Sequence, residues 1–270
     1  MKFNNVIALG TAGWFPSPVR HTTCLAVIYD NLLVLLDAGS GVSRLRDPSM
    51  QRVLAAHDRV CILLSHYHLD HIIGLTFLPS FLQGKRVSIY GPGRECSGHH
   101  TVDALRTALS SPFFSLGLDR FPMDLTIHDL VPGSTELSEG VAVRVRCQEH
   151  SDPSIGLRLD NPGLAFITDT GCTDETVSFI AGCKTLFHDS FYDADDYKQL
   201  SASDTGRELL RDHGHSPGVA EIADRAEVER AYLIHLSPQY SEERIQRMEA
   251  DARRQCPSVR VPSDLEALTV

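Results

Sequence analysis

The sequence contains no Cys-x-x-Cys pair, no internal repeat, no low-complexity tract and no Ser/Gly linker. No apolar run approaches the ~18 residues of a membrane helix; the longest, Cys24 to Tyr29, is strand-length. The apolar stretch in the N-terminal MKFNNVIALGT is too short for a signal peptide, so the reading is a cytoplasmic protein with no membrane partner. The seven cysteines (Cys24, Cys61, Cys96, Cys147, Cys172, Cys183, Cys256) are scattered and odd in number. That distribution suggests neither a zinc ribbon nor a disulfide framework, and reduced thiols fit it best. Basic residues are the minority, 25 Lys and Arg against 35 Asp and Glu for a net charge of -10. Such a chain lacks a large electrostatic grip on phosphate backbones, although a local basic cleft is compatible with it.

The chain of 270 residues is 42% hydrophobic, enough to bury a substantial core, and nothing marks a boundary. We therefore expect a single domain over residues 1–270. Strands are expected at Asn5 to Leu9, Thr23 to Tyr29 and Leu32 to Leu36, the last two joined across Asp30-Asn31. A helical pattern follows from Val42 toward Leu54, then a continuous apolar run from Val60 to Leu64 that suits a strand buried on both faces. Ile72 to Phe81 reads as a helix and Val87 to Tyr90 as a strand. In the second half, strands are expected at Val141 to Val145, Ile155 to Leu159, Leu164 to Thr168, Thr185 to Phe187 and Ala231 to Leu236. Helices are expected over Thr173 to Ile180, from a Ser216 cap with Pro217 at the first position, and after Ser241. The alternation suggests two packed sheets with helices on the outer faces.

One stretch is chemically dense. LLSHYHLDHIIGL places three histidines and an aspartate in six positions directly after the buried strand. In extended backbone His66 and His68, two residues apart, point the same way and can reach one metal. Asp70 and His71 follow the turn and would face a second position beside the first. The set suits a pair of divalent ions, Zn2+ first, with Mn2+ or Fe2+ also compatible with His and Asp ligands.

SHYHLDH resembles the His-x-His-x-Asp-His signature of the metallo-β-lactamase superfamily, and the resemblance extends over nearly the whole chain. It implies an α/β fold, a four-layer αβ/βα sandwich of two mixed β-sheets flanked by helices, with a dinuclear site at one edge of the sheets. It also implies three further ligands at strand ends. His150 resembles the third ligand of the first metal, Asp169 in AFITDT the bridging carboxylate, and His235 in YLIHLSP the last ligand of the second metal.

FHDS at Phe187 to Ser190 and GHS at Gly214 to Ser216 resemble the His-Glu-Ala-Thr and His-Ser-Thr motifs of the ribonuclease Z-like phosphodiesterase branch. GTAGWFPSPVRHTTC and HLSPQYS are similar to that branch too, with Gln239 where relatives carry Arg. The resemblance implies that Asp189 orients His215, which protonates the leaving group, while Asp70 or Asp169 holds the attacking water; Asp189 and His215 could instead form a structural bond. The branch's tRNA-processing members carry a basic, Gly-rich arm, and no such insertion is found here. The segment Gly91 to Gly133 is too helix-like for one, and its His99-His100 and Phe113-Phe114 pairs read more simply as surface and core than as cleft lining.

The expected substrate is thus a small phosphodiester, a cyclic nucleotide or cyclic phosphate, or an RNA 3' end; short RNA is compatible and folded tRNA is disfavoured. The alternatives are a thioester or lactone hydrolase of the glyoxalase II type, or a non-catalytic metal-binding accessory protein on the same fold. The oligomeric state is not readable, and a homodimer is one option.

Overall fold

The computed structural model describes residues 1–137 and 140–270. Its centre is built from the continuous apolar runs. The first half supplies strands β1 (Phe3–Gly10), β2 (Cys24–Tyr29), β3 (Leu33–Leu36), β4 (Arg59–Leu63), β5 (Arg86–Pro92) and β6 (Asp124–Leu130). The second supplies β7 (Gly133–Glu136), β8 (Ala142–Gln148), β9 (Ser154–Leu159), β10 (Leu164–Ile167), β11 (Thr185–Asp189), β12 (Arg230–Ile234) and β13 (Val259–Arg260), and β14 (Ala267–Leu268) returns to the first sheet. Among the described residues these form two seven-stranded sheets, ordered β14-β1-β2-β3-β4-β5-β6 and β13-β12-β11-β10-β9-β8-β7. Both are mixed: β3 to β6 run parallel beside the antiparallel β1-β2-β3, and β10 to β13 run parallel beside the antiparallel β7 to β10.

Period-two alternation explains why β2 is apolar throughout. Leu25, Val27 and Tyr29 face the second sheet, joining Leu36, Leu63, Ile155, Leu157, Phe166 and Ile234 in the core between the sheets. Cys24, Ala26 and Ile28 face the other way, into a core closed by helices. Those helices are α1 (Pro48–Ala55), α2 (Leu69–Ile72), α3 (Leu78–Phe81) and α5 (Thr101–Ala108); Met50, Ile72, Leu78 and Leu105 fill that layer, whereas the short α4 (Arg94–Ser97) directs Cys96 into the core between the sheets. On the far side lie α6 (Asp174–Ile180), α7 (Ala194–Leu200), α8 (Asp204–Asp212), α9 (Ser216–Arg225) and α10 (Glu242–Gln255). Ile180, Val219, Ile222, Ile245 and Met248 pack there on the outer face of the second sheet. Three apolar layers therefore separate four layers of secondary structure, the sandwich implied by the sequence.

Several boundaries differ from expectation for identifiable reasons. The helix expected from Val42 to Leu54 is split into a 3-10 segment, Ser40–Arg46, and α1. Asp47 caps α1 by accepting the Ser49 N–H at 3.0 Å, and Pro48 cannot continue a preceding helix. The helix expected from Ile72 to Phe81 is broken by a 3-10 segment, Ile73–Phe77. Gly74 there approaches the Gly39 carbonyl so closely that a Cβ would lie 2.3 Å from its oxygen. Helices α7 and α8 went unread because their sequences are polar and bury almost nothing. The expectation that all thiols are reduced is corrected at one pair: Cys96 of α4 and Cys147 of β8 are joined as a disulfide. The two lie 51 residues apart, and only the packing of α4 beside the second sheet brings them together. No described helix is long and apolar enough to cross a membrane.

Phe166, wholly buried between the sheets, tests this layering. Phe166→Ala should lower stability by about 3–5 kcal/mol, the usual cost of a large cavity. A urea titration showing a loss below about 1 kcal/mol would mean that the two sheets are not held together by that core.

Candidate metal centre

The carboxyl ends of the strands in both sheets open on one cleft, where irregular backbone commonly carries ligands. Asp37 follows β3, residues 65–71 follow β4, and His150 follows β8. Asp169 follows β10, Asp189 ends β11 and His235 follows β12. Three of these adopt left-handed backbone: Asp37 (φ 57°), Asp169 (φ 51°) and His235 (φ 54°). That conformation is uncommon for non-glycine residues and persists only where packing imposes it. All three are essentially inaccessible to solvent.

Three overlapping groups of donor atoms result among the described residues; two are built around the SHYHLDH residues, and the third joins Asp169, Asp189, His213 and His235. His66, His68, His150 and Asp169 each place one ligand atom within 4.8 Å of the others. His68 uses Nδ1, which is 3.3 Å from His150 Nε2; Asp169 Oδ1 is 3.7 Å from His150 Nε2 and 3.9 Å from His66 Nε2. The second cluster is Asp70, His71 and His235. Asp70 Oδ2 is 3.3 Å from His71 Nε2 and 3.4 Å from His235 Nε2, and the two imidazole nitrogens are 3.2 Å apart. Asp169 reaches this cluster as well, with Oδ2 3.1 Å from His71 Nε2 and Oδ1 3.4 Å from His235 Nε2. The seven residues expected from the sequence are thus brought together, with Asp169 between the two groups.

The donor chemistry fits divalent cations. His66 Nε2 is buried, lies among the other donors and has no hydrogen-bond partner among the described residues. A buried, unpaired ring nitrogen is costly unless a cation or proton satisfies it. Burial, followed by repulsion from His71, holds the His66 pKa well below its ordinary value, so the ring is neutral, as a ligand must be. Burial also opposes protonation of His71 and His235, but the carboxylates outweigh it: Asp169, Asp70 and Asp37 raise the first, and Asp169 and Asp189 raise the second to about 10. The carboxylates therefore demand positive charge at this point, which protons or metal ions can supply.

The opposite nitrogen of four of the five imidazoles, those of His66, His68, His71 and His150, is held, which fixes which one faces the cluster. His71 Nδ1 lies 2.7 Å from Asp37 Oδ2, and Asp37 in turn accepts the Ser65 N–H (2.6 Å) and hydroxyl (2.8 Å). His150 Nδ1 lies 3.0 Å from the Asp212 carbonyl, His68 Nε2 3.0 Å from Asp152 Oδ2, and His66 Nδ1 3.0 Å from Ser65 Oγ. Asp70 Oδ2 accepts the Trp14 N–H at 2.8 Å. Asp37 was missed at the sequence level; the available signal was an aspartate closing a fully apolar strand and followed by Ala-Gly-Ser-Gly.

The family described as "Beta-lactamase superfamily domain" matches residues 33–236. Ribonuclease Z of Thermoplasma acidophilum is 23% identical over 93% of this chain and 91% of its own length. The chain belongs to the beta-lactamase superfamily, as a ribonuclease Z-like, metal-dependent hydrolase. Among solved structures, the metallo-beta-lactamase fold protein YhfI from Bacillus subtilis superposes with a TM-score of 0.73 at 17% identity, covering 98% of each chain. Human tRNase Z, short form, superposes with a TM-score of 0.70 at 19% identity, covering 99% of each.

In this superfamily member one expected pairing is corrected. Asp189 does not bond His215. Its carboxylate lies 2.9 Å from His213 Nδ1 and accepts backbone N–H groups from Asp169 (3.2 Å), Phe191 (2.9 Å) and Gly214 (3.0 Å). His215 is instead the N-cap of α9: its Nδ1 accepts the Gly218 N–H at 3.0 Å, and its ring stacks on Tyr197 at 3.7 Å. Burial, then the neighbouring His188, lowers its pKa to about 4. The helix begins one residue earlier than expected, so the cap falls on His215 rather than Ser216. His213 was not read as a candidate; the signal was the His-Gly doublet, because Gly214 must pass so close to Asp189 that a Cβ would lie 2.2 Å from its carbonyl oxygen.

Asp37→Ala should remove the partner of His71 and weaken metal binding by about 10- to 100-fold, the usual effect of losing such a support. Competition titration against a chelator, on protein of unchanged circular dichroism, measures this; unchanged affinity would show that Asp37 does not support the ligand.

Proposed function

We propose that the protein is a phosphodiesterase and that residues 1–270 act as one hydrolase unit. The observation that carries this reading is the Asp189–His213 pair beside the two donor clusters. Its support from relatives is that curated proteins matched along nearly the whole chain are named Ribonuclease Z. We assign His66, His68, His150 and Asp169 to one divalent ion and Asp70, His71, Asp169 and His235 to a second, with Zn2+ the best match to this nitrogen-rich set. Such ions, when bound, supply an acidified water and neutralise charge developing on phosphoryl oxygens.

The chain's own residues do the rest. His213 packs against both Phe191 (centroids 4.8 Å) and His235 (5.3 Å), near-parallel to each, in a triangle of rings closed by the 5.8 Å contact between Phe191 and His235, and this packing restrains its plane. Asp189 occupies Nδ1, so Nε2 is the nitrogen left for a substrate. Burial alone would lower the His213 pKa, but the Asp189 carboxylate raises it above the ordinary value, keeping a proton available. We assign His213 to donate that proton to the departing ester oxygen. Asp189 is the positioning residue, since its oxygens are taken by His213 and three backbone N–H groups. Asp70 and Asp169 present the carboxylates that would hold and orient the attacking water.

A small phosphodiester is favoured over a folded RNA. The chain is acidic, and residues 91–133 carry α4, α5 and β6, with Leu105, Leu109 and Leu118 buried in the first outer core. That segment packs onto the sheet, and its three arginines, Arg94, Arg106 and Arg120, are outnumbered by Glu95, Asp103, Asp119, Asp124 and Asp129, so it is not the net basic surface that RNA backbones require. An RNA 3' end is the second reading, favoured only by the names of the relatives. The thioester reading is disfavoured, because it gives the Asp189–His213 pair no task. The cytoplasm is the location that we infer.

Hydrolysis of bis(p-nitrophenyl) phosphate by zinc- or manganese-loaded protein tests the assignment. His213→Ala should reduce kcat by about 10²- to 10⁴-fold, the range for losing a general acid, with metal content unchanged. His215→Ala should leave the chemistry intact and cost about 0.5–2 kcal/mol of stability as a lost helix cap. The reverse pattern, or thioester hydrolysis without phosphodiester hydrolysis, would sink the reading.

A further inference from the structure

Beside the donor clusters lies a cavity of about 640 Å3. Its size is that of a small-molecule site. One wall is the ring of His68, whose Nδ1 belongs to the first cluster, so cavity and cluster are continuous. The remaining wall is mainly apolar: Leu69 of α2 and Ile73 just after it, Ala108 of α5, and Phe113 and Phe114 beyond it. Among the described residues no Lys or Arg lines it, and Asp152, held to His68 Nε2 at 3.0 Å, places a negative charge at its edge.

Exposure makes the apolar lining informative. Leu69 is 68% exposed, Ile73 39% and Phe113 80%, so three large apolar side chains stand in water around one opening. Exposed apolar surface gathered at a concave site marks ligand contact rather than random scatter. A polyanionic chain would gain nothing here, since it needs cationic partners. A hydrocarbon group would bury both itself and these side chains.

We propose that this cavity receives an apolar ester arm of the substrate, making the preferred substrate a phosphodiester with one hydrocarbon substituent, alkyl or aryl. Ile73, Phe113 and Phe114 are then specificity-determining residues. The identity of the head group rests on the phosphodiester reading above; the arm rests on the cavity alone. The Phe113-Phe114 pair, simplest in sequence as core or surface, is on this reading part of the substrate cleft.

Calorimetric titration of the metal-loaded protein with methylphosphonate and hexylphosphonate tests the proposal without turnover. Hexylphosphonate should bind at least about 30-fold more tightly, a fraction of what full burial of five added methylene groups would give. In Phe113→Ala and Ile73→Glu, both at solvent-exposed positions, that ratio should fall to within about 3-fold of unity. Equal affinity for the two phosphonates in the unmodified protein, or a ratio untouched by both substitutions, would overturn the assignment. Chain-length preference without any phosphodiester hydrolysis would remove the head-group reading and leave the cavity's role standing; hydrolysis without chain-length preference would do the opposite.

Discussion

The carboxylate of Asp169 is the point on which the site turns. It is buried, it follows the central strand β10 of the second sheet, and its two oxygens lie within 4 Å of His66, His71, His150 and His235. Isolated in that position, a carboxylate would be neutralised by its own burial. Instead the charges of His235 and His71 outweigh burial and hold its pKa well below the ordinary range. The histidines come from both sheets: His66 and His71 follow β4, whereas His150 and His235 follow β8 and β12. One charge thus requires the two halves of the sandwich to be in register.

Position comes from the sheets and aim from the strand ends. Parallel strands β3 and β4 in one sheet and β10, β11 and β12 in the other end at the same cleft. At three of those ends a left-handed residue turns the chain: Asp37, Asp169 and His235. Each such residue costs of order 1–3 kcal/mol. The cost is tolerable because the strands behind them are wholly buried, as Leu33–Leu36, Leu164–Ile167 and most of Arg230–Ile234 are. A small dedicated metal loop could not hold that strain; a core of this size can.

What could be read from the sequence follows from range. The strands β2, β3, β4 and β10 were legible because burial on both faces writes itself as an uninterrupted apolar run. The ligands of SHYHLDH were legible because four chemical groups sit in six positions, and the distant His150, Asp169 and His235 by resemblance to a family. The supports were not: Asp37 serves His71 from 34 residues away, and the Asp212 carbonyl serves His150 from 62. Neither spacing has a periodicity to betray it. Helices α7 and α8 were lost for the opposite reason, having almost no buried face to impose a period. The Cys96–Cys147 bond likewise depends on tertiary packing, which spacing does not encode.

The choice between His213 and His215 shows how local geometry decides a chemical role. Both stand in DHGHSP, two residues apart, and both are imidazoles near Asp189. His215 is consumed by α9: its ring caps the Gly218 N–H and lies on Tyr197, leaving no nitrogen directed by a carboxylate. His213 ends α8 and meets Asp189, whose Oδ2 also lies 3.2 Å from His235 Nδ1. That single oxygen connects the proposed acid to a proposed ligand. Replacing Asp189 would disturb proton donation and metal binding together, so it cannot separate the two. His213 carries no ligand in this assignment, and only at that position does the chemistry on the leaving group become distinguishable from the chemistry of the metals.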